Sequence, residues 1–206
     1  MEQGSLILAL DIEGRGPSMS RNGIVSIGAC VGRASGGAIV EKRRWDLLPY
    51  PGQVMDQKCV TEFWSKQGNL LELLQKDAQD PSVAMASFRQ FVDSLGPNVY
   101  IVCDAPAYDF GFINYYLDRQ GLPLLQFDAQ GQFRPLHDAD SYARGACGYG
   151  WQRVWISNQD AVDQLYADTM IPVLDGESHL RAHMPEDDAE KIFFAHFWIV
   201  NKNSTK

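Results

Sequence analysis

Two carboxylates two positions apart close the first apolar run of the chain. In residues 5–14, SLILALDIEG, five apolar residues lead into Asp11-Ile12-Glu13. Read as a buried strand, the run places Asp11 and Glu13 on one face, about 7 Å apart along the chain, and turns Ile12 to the other. Carboxylates held side by side repel, and desolvation at the end of a central strand strengthens the repulsion. The usual remedy is a divalent cation with oxygen ligands. A strand ending in solvated acids is the plainer alternative.

Further residues stand where such a site could use them. Asp109 opens a helix after the apolar run Val99–Cys103, and His183 and Asp188 lie five positions apart at the start of the last helix, in HMPEDDAE. This spacing lets a residue on a loop swing over a site whose ligand is fixed on the helix. Each has an ordinary structural role open to it as well: Asp109 as an N-cap, Asp188 as a first-turn acid complementing the helix dipole, His183 as a loop histidine. His137 with Asp138 and Asp140 has the composition of a metal cluster, but its loop setting predicts a solvent-exposed turn.

The elements that must position these groups follow from periodicity and punctuation. Residues 5–14, 23–32 and 38–47 read as three strands joined by short turns, an antiparallel meander. In the second strand, alternation groups Ile24, Ser26 and Gly28 on one face and Val25, Ile27 and Ala29 on the other. An amphipathic stretch begins at Thr61-Glu62-Phe63-Trp64, and residues 81–95 form a clearer helix. Val99–Cys103 reads as a buried strand, 108–120 as a helix ended by Gly121, and 124–127 as a weaker strand. Residues 128–150 are rich in loop formers, a helix is predicted over 160–168, and 185–200 is a helix with a proline and acids at its start. The order predicts an α/β fold, a mixed sheet flanked by helices with the first strand central.

At 206 residues and 45% apolar content, the chain is read as one domain over 1–206. No run approaches the roughly 18 to 20 apolar residues of a membrane span, and the N-terminus lacks a signal-like segment, so a soluble, cytoplasmic protein without membrane partners is expected. Cys30, Cys59, Cys103 and Cys147 are widely spaced and read as reduced, mostly buried thiols. A net charge of −8 argues against a broad basic face for long nucleic acid, but not against a grip on a short end through metal ions. Arg134, Arg144 and Arg153 are scattered, and Lys42-Arg43-Arg44 reads as a solvated strand end, with a phosphate contact as the alternative.

Taken in order, the motifs LALDIEGRG, CDAPAYDFGFI and HMPEDDA resemble those of the DEDDh-type 3′-to-5′ exonucleases of the ribonuclease H-like fold, a group that includes polymerase proofreading subunits and oligoribonuclease. The resemblance spans about residues 5–200. The stretches Glu62-Phe63-Trp64-Ser65-Lys66-Gln67 and HDADSYARG look like corresponding segments of the exonuclease VIII-like and ribonuclease T-like branch. The resemblance implies a ribonuclease H-like mixed five-stranded sheet. It also implies that Asp11, Glu13, Asp109 and Asp188 bind two Mg²⁺ or Mn²⁺ ions, with Asp11 shared, and that His183 is the general base. Oxygen ligands select hard cations, and a neutral histidine accepts a proton near physiological pH. The implied partners are nucleic acid 3′ ends, and the product a nucleoside monophosphate.

The chain departs from the pattern at two points. Asp104 stands five residues before Asp109 where the family usually has Asn, adding negative charge near the site. Pro185 stands where Ala is common, which stiffens the His183 loop. His179 is a rival base whose distance from Asp188 does not fit the motif. Phe63, Trp64 and Tyr108 are candidates for stacking on bases of a single strand, with core packing as the alternative. The competing function is an exonuclease-like module that no longer cuts and only binds nucleic acid ends or a protein. DNA and RNA are not separated, although the branch similarity leans toward RNA, and a homodimer is suggested only by its frequency among related enzymes.

Overall fold

The computed structural model describes residues 4–139, 141 and 183–203, with side chains of the last helix described as far as Phe197. The expected helix over 160–168, His179, Asp140, Cys147, Arg144 and Arg153 lie outside the described residues.

Among the described residues, five strands form one mixed sheet in the order β3-β2-β1-β4-β5. They are β1 Leu6–Gly14, β2 Ile24–Arg33, β3 Ile39–Asp46, β4 Val99–Cys103 and β5 Leu136–Asp138. The first three are antiparallel neighbours, and β4 and β5 continue the sheet parallel to β1. The continuous apolar run of β1 reflects cover on both faces. Leu8, Leu10 and Ile12 pack toward Met85, Phe88, Phe112 and Tyr116 of helices α3 (Pro81–Ser94) and α4 (Asp109–Arg119). Ile7 and Ala9 pack toward Ala189, Ile192 and Phe193 of α5 (Pro185–Asn203). Asp80 caps α3, accepting from the Ser82 N–H at 2.8 Å, with Pro81 in its first turn. Among the described residues, no helix is long and apolar enough to cross a membrane.

The structure corrects several local expectations. The β1–β2 register shifts between Glu13 and Gly14, so that Glu13 faces Ser26 and Gly14 faces Ile24. This bulge consumes one residue of β2 and turns Ile24 to the Ile27–Ala29 face, while Val25 joins Trp64, Leu70 and Leu74. The stretch expected to begin a helix at Thr61 instead ends one. Helix α1 (Gln57–Glu62), capped by Asp56, is followed by a 3₁₀ turn Trp64–Lys66 and by α2 (Leu70–Gln75). Residues 124–127 form no strand; Phe127 makes one isolated bridge to Phe133, and the fifth strand is Leu136–Asp138. His137 and Asp138 therefore lie half-buried in a strand rather than in a solvent-exposed turn.

Lys42-Arg43-Arg44 is no solvated strand end. Alternation along β3 sends Lys42 and Arg44 toward α5, where Lys42 Nζ lies 2.5 Å from Asp187 and 2.6 Å from Glu190, and Arg44 lies 3.1 Å from Glu186. Arg43 points the other way, its guanidinium 4.9 Å from the centre of the Phe91 ring. Cys30 and Cys103 are buried and Cys59 half-buried, all as free thiols.

Candidate metal centre

The acids gather at the end of β1 on the face covered by α5. Asp11 and Glu13 follow Ile7 and Ala9 on that face, as the strand period requires, and the bulge begins immediately after Glu13. Glu13 is buried, whereas solvent still reaches part of Asp11. Directly across the ladder from Asp11 stands Gly28. A Cβ there would run into the Pro185 carbonyl, so the glycine lets the first turn of α5 lie on the sheet. That approach carries Asp188 to the strand acids. Ligand atoms of Glu13, His183 and Asp188 lie within 4.8 Å of one another.

His183 is held over Glu13 by an unusual backbone. Its φ of 60° is the one positive value among described non-glycine residues, in the left-handed region that histidine visits more readily than most side chains. Met184 is buried beside Trp64, Leu70 and Leu74 and anchors the next link of chain, while its carbonyl accepts from the N–H groups of Asp187 and Asp188. The imidazole then meets Glu13 across 3.7 Å at Nδ1 and the edge of the Phe63 ring at 4.9 Å between centroids.

Asp109 arrives from β4. It is buried in the first turn of α4, where Tyr108 holds the cap position, and its carboxylate accepts from the Ala105 N–H at 3.3 Å. Asp109 therefore combines a first-turn place with a contact back into the strand-to-helix loop. Burial pushes its carboxyl up, and the charge of Asp104 adds to this, to about 8, against the opposing hydrogen bonds from Ala105, Cys103 and Ile12. Asp11 is pushed well up by burial, then by Asp109, Glu13, Asp188 and Asp104, and Glu13 by burial, then by Asp188 and Asp109. The extra negative charge of Asp104 is thus felt at both Asp11 and Asp109.

Glu13, His183 and Asp188 share one cluster of ligand atoms, and Asp11 and Asp109 lie near enough for their charges to be felt there. Burial and mutual repulsion raise Asp11, Glu13 and Asp109, and with the Asp188 carboxylate they form a donor set suited to a hard divalent cation, which would relieve the repulsion. Sequence reasoning missed two features. Lys191 Nζ pairs with Asp188 at 2.6 Å, a contact signalled by their i, i+3 spacing. Lys42 and Arg44 bind the other acids of the same helix turn, which no local pattern announces. Trp64, a stacking candidate, is buried and donates its indole N–H to the Gly14 carbonyl at 3.2 Å, so core packing describes it. Phe63 and Tyr108 stay partly exposed, with the Tyr108 hydroxyl occupying the space a side chain at Gly14 would need.

This sheet order, with the acids at the end of its central strand and helices on both faces, is the ribonuclease H-like fold that the chain shares with solved exonuclease structures. The chain superposes on Escherichia coli exonuclease I in complex with a dT13 oligonucleotide with a TM-score of 0.68 and 13% identity, over 98% of this chain and 42% of that one. Cell-death related nuclease 4 (CRN-4) gives 0.62 and 16%, over 96% and 64%. A 3′-exonuclease with 3′-end specific recognition of the histone mRNA stem-loop gives 0.65 and 11%, over 96% and 82%. Among curated proteins the chain is similar to the 3′-5′ DNA exonuclease Cap18 of Escherichia coli, 27% identical over 114 residues, 54% of this chain. The match spans 56% of the length of that relative. No family model matches the chain.

Proposed function

We propose that the protein is a metal-dependent 3′–5′ exonuclease that hydrolyses single-stranded nucleic acid from its 3′ end and releases nucleoside monophosphates. The observation that carries the reading is the convergence of Asp11, Glu13, Asp109 and Asp188 at the end of the central strand with His183 beside Glu13. Asp11, Glu13, Asp109 and Asp188 would hold two Mg²⁺ or Mn²⁺ ions. Bound there, the ions supply an activated water and charge neutralisation at the phosphodiester.

The protein's own contributions follow from the geometry. Nδ1 of His183 faces the Glu13 carboxylate across 3.7 Å, which leaves Nε2 on the other side of the ring. Nε2 then takes the proton of the attacking water, and the partial exposure of the ring, 41% of its side chain, keeps that atom within reach of solvent and substrate. Phe63 and Tyr108 offer partly exposed aromatic walls for a terminal base. Names of relatives on both sides of the sugar divide support nucleic acid in general, and the curated one, a DNA exonuclease, makes single-stranded DNA the first substrate to test.

The test is nucleotide release from a single strand in Mg²⁺ by the wild type and by His183→Ala. The variant should lose about 10²-fold or more in rate while binding Mn²⁺ within a few-fold of wild type. Full activity in the variant would remove His183 from the mechanism, and loss of Mn²⁺ binding would make it a ligand instead.

A further inference from the structure

One turn beyond Asp188, helix α5 carries a lysine that the proposed mechanism does not use. Lys191 Nζ lies 2.6 Å from Asp188 Oδ1, and both side chains remain open to solvent, at 25% and 22% exposure. Asp188 is also one of the groups that converge with Glu13 and His183. The same carboxylate therefore serves an ammonium group and belongs to the candidate metal centre.

The neighbouring cations are committed elsewhere. Lys42 is held by Asp187 and Glu190, Arg44 by Glu186 and Asp46, and the buried Arg15 by the Leu47 carbonyl and Gln75. Among ion pairs of the described residues, the Lys191 pair is the one that a lysine or arginine makes with a candidate ligand. An ammonium and a divalent cation compete for one carboxylate and repel each other beside it. A lysine at the rim of an acidic centre is also what an incoming polyanion lacks, and its four-carbon stem lets the head move while the backbone stays fixed.

We infer that Lys191 is the resident counter-cation of Asp188 in the metal-free protein, and that it leaves Asp188 on metal loading to hold a substrate phosphate. The inference rests on the proposed nuclease reading and adds to it a residue that couples metal loading to substrate grip. Metal-free protein keeps its lysine on Asp188 and holds a nucleic acid end weakly. Loaded protein presents the lysine to the phosphodiester.

Lys191→Met and Lys191→Arg test this by two binding measurements. Mn²⁺ affinity is read by electron paramagnetic resonance, and the affinity of a phosphorothioate-linked oligothymidylate by fluorescence anisotropy, in Ca²⁺ and in chelator. Lys191→Met should bind Mn²⁺ about fivefold tighter, the scale of one exposed ion pair. In Ca²⁺ it should bind the oligonucleotide about tenfold more weakly, with a salt slope lower by about 0.7, whereas in chelator it should match wild type. Lys191→Arg should restore oligonucleotide binding. A merely structural lysine would move the melting temperature and neither affinity. Unchanged or weaker Mn²⁺ binding in Lys191→Met, or an oligonucleotide loss equal with and without metal, overturns the inference while leaving the nuclease reading standing. Wild-type protein that binds neither Mn²⁺ nor oligonucleotide overturns both.

Discussion

Burial, aided by the charge of Asp104, pushes the Asp109 carboxyl up to about 8, even though the Ala105 and Ile12 N–H groups and the Cys103 thiol all favour its ionised form. The consequence for stability has a definite sign. A carboxyl whose folded pKa lies above its unfolded value, here 3.8, stabilises the fold at low pH and loses that contribution as pH rises toward about 8. Metal-free protein should therefore melt at progressively lower temperature between pH 5 and pH 8, and Mg²⁺ should reverse most of the loss at pH 8. Asp109→Asn should flatten the slope; a melting temperature that is flat or rises over this range in chelator would contradict the charge account. Asp11→Asn belongs to the same scale, since it relieves Glu13 and Asp109 of a neighbour's charge, and should raise the melting temperature in chelator while removing hydrolysis. The acids themselves were legible in the sequence because a strand's alternation fixes Asp11 and Glu13 on one side whatever the rest of the chain does. Lys191 was legible too, in the i, i+3 spacing to Asp188, but an acidic helix start reads first as dipole compensation.

Helix α5 reaches the sheet through two devices that lie on other strands. Gly28 and Gly32 of β2 leave room for the Pro185 backbone and the Phe193 ring, and Lys42 and Arg44 of β3 neutralise Glu186, Asp187 and Glu190 on either side of Asp188. Gly28→Ala should lift the first turn of the helix, costing about 1–3 kcal/mol by overpacking and lowering activity more than any loss of folded protein explains. Lys42→Met removes the ammonium that two nearly buried acids share, with side chains 5% and 3% exposed, and should lower stability, measured by denaturant unfolding at pH 7. Retention of wild-type stability would mean that these pairs do not secure the helix. These devices explain what sequence reading could not supply. The strands β1 and β4 and the helices α3, α4 and α5 declare themselves through local apolar periodicity and caps. The roles of Lys42 and Arg44, the exchange of faces at Ile24 and Val25, and the pairing of β5 are set by cross-strand register and by a helix whose Glu190 lies 148 residues from Lys42, and no local window contains that information. Of the two readings open for Trp64, core packing holds, with the indole bound to the Gly14 carbonyl. Trp64→Phe should cost about 1 kcal/mol for that bond.

Among the described residues, the sheet order gathers the candidate ligand acids at one end. Since β1 lies between β2 and β4, the acids of β1, the Asp109 turn after β4 and the start of α5 on β2 meet at the same end. For the proposed polyanionic substrate, a net charge of −8 makes bound cations and a few local groups the expected source of grip. The expected behaviour is a preference for short or frayed single-stranded ends over long duplex, checked by competition between the two at equal phosphate concentration. The central claim is tested most directly by a time course on single-stranded DNA and RNA of one sequence, labelled at either the 3′ or the 5′ end. Wild-type protein and Asp11→Ala are compared in Mn²⁺, Mg²⁺ and chelator. The expected result is immediate loss of the 3′ label as mononucleotide and a descending ladder from the 5′-labelled strand, absent in chelator and in the variant. Intact strands of both polymers in either metal, or shortening that persists in Asp11→Ala, would contradict it.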